Sequence, residues 1–115
     1  MSNRYVVEGL ATDMFSGKTV VYLAPERQCQ ETFTALVELA REIGARDYLR
    51  IVRAHGRQCV EHGPSGRVLF HRSVQAMRGL AADVVVVADR KYIERVDDWA
   101  GIRVSTQNGE VIRTC

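Results

Sequence analysis

A chain of 115 residues, 46% hydrophobic and 26% charged, can bury one core and is too short to bury two. That balance excludes disorder, and no stretch is long and apolar enough for a membrane-spanning helix. The formal charge is only +2, but residues 46–78 hold seven arginines against Asp47 and Glu61, and all three histidines.

The start, Met1-Ser2-Asn3-Arg4, lacks the apolar core of a signal peptide. Cys29, Cys59 and Cys115 are too few and too scattered for a disulfide framework. Both features lead us to expect reduced thiols in a cytoplasmic protein.

Tyr5-Val6-Val7-Glu8-Gly9-Leu10 reads as a first strand and Val20-Val21-Tyr22-Leu23 as a second. Between them stands Gly17-Lys18-Thr19, which invites comparison with the phosphate-binding pattern GxxxxGK[ST]. The first glycine of that pattern falls on Thr12, and β-branched residues follow where a helix should open. A hairpin turn accounts for the same residues.

Pro25 and Glu26 start a helix predicted over residues 25–43, with Cys29, Phe33, Leu36, Val37, Ala40 and Ile43 on its apolar stripe. Gly44 ends it. Residues 48–53 read as a strand, and 58–62 and 67–71 as a hairpin around Gly63-Pro64-Ser65-Gly66. Ser73 can cap a short helix carrying Val74, Met77 and Leu80.

Val84-Val85-Val86-Val87-Ala88 is apolar without alternation, as in a strand buried on both faces of a parallel sheet. Asp83 and Asp89 bracket it, roughly 20 Å apart, so they cannot form a paired-carboxylate site. Asp89 marks the carboxyl end, where open α/β sheets gather ligands. Residues 91–99 read as a helical turn or loop, and 102–105 and 110–113 as a hairpin about Asn108-Gly109. The expected class is one α/β domain over 1–115, with a small, mostly parallel sheet, flanking helices and added β-hairpins.

Val20-Val21-Tyr22-Leu23-Ala24-Pro25-Glu26-Arg27-Gln28 resembles the segment after the phosphate loop in P-loop DNA motors. Gly66-Arg67-Val68-Leu69-Phe70-His71-Arg72-Ser73, Arg78-Gly79-Leu80 and Ala82–Asp89 resemble later parts of that core. The chain is most similar there to the ATPase domain of bacteriophage terminase large subunits, and more distantly to superfamily 2 helicases, over roughly residues 18–92.

The resemblance implies a P-loop NTPase-like (RecA-like) core, and ATP with magnesium at Gly17, Lys18, Thr19 and Asp89. It also implies a glutamate base after the strand aspartate, where this chain has Arg90. Arginine stays protonated and cannot act as the base. The helix that should follow Gly17-Lys18-Thr19 is missing, so the chain reads as a shrunken, catalytically degenerate core, phage-derived, whose work is binding.

Arg46, Arg50, Arg53, Arg57, Arg67, Arg72 and Arg78 are candidate contacts to the phosphates of DNA or RNA. One alternative is a protein-interaction module engaging a host or phage partner, with Tyr92 and Trp99 as exposed anchors, and the other a genuine ATP-binding protein using Lys18 and Asp89. Unpaired sheet edges would suit a homodimer. His55, Cys59, His62 and His71 offer zinc-compatible side chains in no common spacing. Cys29 or Cys59 could serve as a nucleophile paired with histidine, but no oxyanion motif or orienting carboxylate is evident. No catalytic or metal residue is assigned.

Overall fold

A computed structural model describes residues 4–54, 58–77, 79–106 and 109–114. Its first element is a helix, α1 (Arg4–Phe15), not the strand expected over residues 5–10. Val7, Leu10, Ala11 and Met14 are its buried residues, spaced 3, 1 and 3 apart. That helical period outweighs the β-branched pair Val6-Val7. Gly17, at φ 85°, ends the helix in the left-handed region.

The order then runs β1 (Thr19–Leu23), α2 (Glu26–Glu42), a 3-10 turn (Arg46–Tyr48), β2 (Leu49–Val52), β3 (Cys59–His62) and β4 (Gly66–His71). A second 3-10 turn (Gln75–Met77), β5 (Val84–Val87), α3 (Lys91–Glu94), α4 (Val96–Ser105) and β6 (Glu110–Arg113) complete it. The predicted long helix stands, with Pro25 as its N-cap and Gly44 at φ 73° just beyond its end. The terminal hairpin does not form. Residues 102–105 continue α4, and β6 pairs parallel with β5.

All six strands form one sheet in the order β2-β3-β4-β1-β5-β6. The β2–β3 and β3–β4 pairs are antiparallel, while β4–β1, β1–β5 and β5–β6 are parallel. The α/β class with a mostly parallel sheet is as read from the sequence; of the three expected hairpins, that of β3 and β4 forms, while α1 replaces the strand before Gly17 and α4 the strand before Asn108-Gly109.

Alternation along the strands divides the core into two layers. Val20, Tyr22, Val60, Val68, Phe70, Val84 and Val86 face α1 and α2. Val21, Leu23, Val85 and Val87 face the opposite way, onto Met77, Tyr92 and Ile102. The valine strand is buried on both sides, as its composition requires.

This layering sets the site. The chain leaves β1 into α2 on one face and leaves β5 into α3 and α4 on the other. Neighbouring parallel strands with connections on opposite faces make a topological switch point, with its crevice at their carboxyl ends. Gln28 Nε2 donates to the Ala88 carbonyl across that crevice at 3.4 Å.

Candidate nucleic-acid and anion-binding surface

The structure does not bring the residues of the sequence-predicted nucleotide site together. Gly17-Lys18-Thr19 leads from a helix into a strand, the reverse of a phosphate loop. Helix α1 precedes the motif, and β1 follows it directly. Lys18 Nζ lies 3.7 Å from Asp13 Oδ1. The Thr19 hydroxyl is 3.4 Å from Arg67 Nε, and its N–H donates to Asp83 Oδ2 at 2.8 Å. Parallel pairing of β1 with β5 places Thr19 beside Asp83, at the amino end of the strands. Asp89 is at the other end, roughly 20 Å away.

Asp89 makes a local hydrogen bond. Its Oδ1 accepts the Lys91 N–H at 2.9 Å, capping the first turn of α3. Arg90, exposed beside it, lies 3.8 Å from Glu94. Asp83 holds the opposite ends in place: its side chain takes Thr19 N–H and its carbonyl takes Glu110 N–H at 2.8 Å.

The arginine set divides by strand alternation and by sheet end. Arg50, Glu61 and Arg67 stand in register on β2, β3 and β4, facing away from α1 and α2. Arg53 lies on the other side, its guanidinium carbon 5.7 Å from the Phe33 ring centroid. Arg46 belongs to the first 3-10 turn. Arg72 follows β4 at the carboxyl end, 3.2 Å from Glu26. Arg57, Arg78 and His55 lie outside the described residues. Among the described residues Arg46, Arg50, Arg53 and Arg67 hold no ion pair.

A cluster that sequence reasoning missed collects at the carboxyl ends. Arg72, Ser73, Val74, Gln75, Lys91, Tyr92, Arg95 and Asp98 line a cavity of about 330 Å³. Lys91 and Arg95 belong to a segment whose net charge is slightly negative, so composition alone hid them. Only the fold brings Arg72 next to them.

Tyr92 is not the exposed anchor expected. It is 3% exposed, its hydroxyl donates to the Arg72 carbonyl, and Trp99 is half-buried against the same core layer. Burial first, then the charges of Cys29, Asp89 and Asp98, pushes the Tyr92 phenol up to about 12, so it stays a donor. Among the described residues the exposed large apolar side chains are Tyr5, Ile43 and Tyr48.

Neither described cysteine is set up as a nucleophile. Burial pushes the Cys29 thiol up to about 11, and its Sγ lies 3.2 Å from the Ala24 carbonyl. Burial, then Glu61, raises Cys59 as well. Cys59 and His62 occupy opposite faces of β3, with His62 against Phe15. Among the described residues no group of three or more His, Cys, Asp or Glu could hold a metal.

His71 carries a titration signature. Its Nε2 is buried with no hydrogen-bond partner, and burial lowers its pKa below 6.5. The unfolded imidazole takes a proton near 6.5 while the folded one resists it, so acid favours the unfolded state. We expect the urea midpoint to hold above that value and fall as pH drops through it towards the folded pKa. His71→Leu should flatten this fall, and an unchanged acid slope in that variant would disprove the assignment.

Among the described residues no helix is long and apolar enough to cross a membrane. No protein-family model matches the chain, and no curated protein matches it. Among solved structures the chain is similar to the HK97 bacteriophage large terminase, with a TM-score of 0.61 and 14% identity. The match covers 84% of this chain and 22% of that one, so this chain spans about a fifth of its length. At that identity the likeness is one of fold, and the α/β core expected from the sequence resemblance is the terminase-like one.

Proposed function

We propose that this chain is a non-catalytic, phage-derived domain on a P-loop NTPase-like (RecA-like) core that binds nucleic acid through its phosphates. The observation that carries this reading is the set of arginines, Arg46, Arg50, Arg53 and Arg67, that hold no ion pair among the described residues. An unpaired guanidinium at a surface is available to phosphate oxygens, which it meets with two parallel N–H donors. The fold likeness to a phage terminase supports the lineage.

The non-catalytic part is supported by Asp89 and Arg90. In the first, one carboxylate oxygen is held by the Lys91 N–H, and the second puts a permanent cation where a base would stand. Lys18 and Asp89, at opposite sheet ends, give one nucleotide no common site.

Fluorescence anisotropy with a labelled DNA duplex and single strand, across a salt series, tests the reading. Affinity should fall linearly on a log–log plot, with a slope of about −0.9 per duplex phosphate contacted. Arg50→Ala with Arg67→Ala should weaken binding and reduce that slope by about 2. Absent binding at low salt, or binding indifferent to salt, rules the reading out.

A further inference from the structure

We propose that the cavity at the carboxyl ends of β4 and β5 is a binding site for a phosphate group. Three cations, Arg72, Lys91 and Arg95, share its wall with one carboxylate, Asp98. Arg72 keeps N–H donors beyond the one held by Glu26, since a guanidinium carries five. Neither Lys91 nor Arg95 is ion-paired among the described residues.

Neutral donors complete the set. Ser73 Oγ accepts the Ala76 N–H at 3.3 Å, which leaves its own proton to donate. Gln75 adds an amide to the rim. Val74 and Tyr92, 9% and 3% exposed, give the cavity an apolar floor that strengthens charge interactions above it.

The walls are fixed before any ligand arrives. The Tyr92 hydroxyl ties α3 to the Arg72 carbonyl, and Asp89 caps the turn that presents Lys91. Asp89 therefore positions the site and does not bind the ligand. A cavity of about 330 Å³ admits a phosphate with its attached ester group. The site stands on this geometry; only the source of its phosphate, a nucleic-acid backbone, rests on the reading above.

The test is an amide-resolved NMR titration of the intact chain with inorganic phosphate, then with an unlabelled oligonucleotide. Saturable shifts should appear at Ser73, Val74, Gln75 and Lys91–Arg95. Lys91→Ala and Arg95→Ala alter exposed side chains and should each weaken phosphate about tenfold. Oligonucleotide moving the same amides supports a backbone phosphate. Shifts from inorganic phosphate alone support the site with a free phosphate ester as ligand. Non-saturating shifts, or saturation unaffected by both variants, overturn it. DNA binding that leaves these amides unmoved removes the site while the nucleic-acid reading survives.

Discussion

Gly66→Ala should cost about 3 kcal/mol or more of folding stability, near the top of the range for a single methyl group. Gly66 opens β4 opposite His62, directly beneath the last turn of α1. A Cβ there would collide with the carbonyl oxygen of Met14 and lie 2.8 Å from that of His62. Both obstacles are backbone, so no side-chain rotation relieves them. Relief requires α1 to lift off the sheet, and α1 carries Val7, Leu10 and Met14 into the core. Urea unfolding gives the readout, with Gly63→Ala, where a Cβ meets nothing within 4 Å, as the control for glycine in this hairpin. Because Gly63 sits at φ 66°, its alanine variant reports backbone strain alone, of roughly 1 kcal/mol. Equal losses in the two would mean that close approach to α1 is not what demands glycine at position 66.

The elements legible in the sequence were those whose burial is written into composition. Val84–Val87 could be read because a strand covered on both faces needs no polar side. The α2 stripe could be read because Cys29, Phe33, Leu36, Val37 and Ala40 recur with the helical period and are buried, while Ile43, expected on the same stripe, lies just past the helix and is exposed. The α1 segment carried the same signal in Val7, Leu10, Ala11 and Met14, but Val6-Val7 favour strand locally and the mid-helix Gly9 weakens the helix signal. Tertiary packing decided it. At the other end Asn108-Gly109 suggested a hairpin, yet Gly109 packs directly against the Asp83 carbonyl. That close approach between β5 and the start of β6 is a second reason for glycine, and it is not visible locally.

The candidate sites divide in the same way. Lys18 and Asp89 belong to motifs that are recognisable by residue type, but a motif constrains chemistry only if the chain order around it is right. Here α1 stands before Lys18 where a phosphate loop needs a helix after it, and strand direction sends Asp89 to the far end. Arg72, Lys91 and Arg95 form the opposite case. No spacing links residue 72 to residues 91 and 95; the link is β1 lying between β4 and β5.

Phe33→Ala should remove about 4 kcal/mol, in line with truncation of a buried phenylalanine. Phe33 is 2% exposed and meets Phe70 edge to face, with ring centroids 5.5 Å apart; Phe70 in turn lies 5.7 Å from Tyr22. These three rings join α2 to β4 and β1, so the truncation opens a cavity at the centre of that layer and breaks an aromatic pair. On its outer side the same ring lies under Arg53. Arg53→Ala should cost no more than about 1 kcal/mol, because an exposed cation contributes little over a ring. The pair of variants separates packing from charge: urea midpoints should fall sharply for Phe33→Ala and barely for Arg53→Ala, with Phe33→Leu between. A loss under about 2 kcal/mol for Phe33→Ala would place the ring at a margin and not in the core. DNA affinity should run the other way, reduced by Arg53→Ala and retained by whatever fraction of Phe33→Ala remains folded, since on the proposed reading the first removes a phosphate contact and the second only its support.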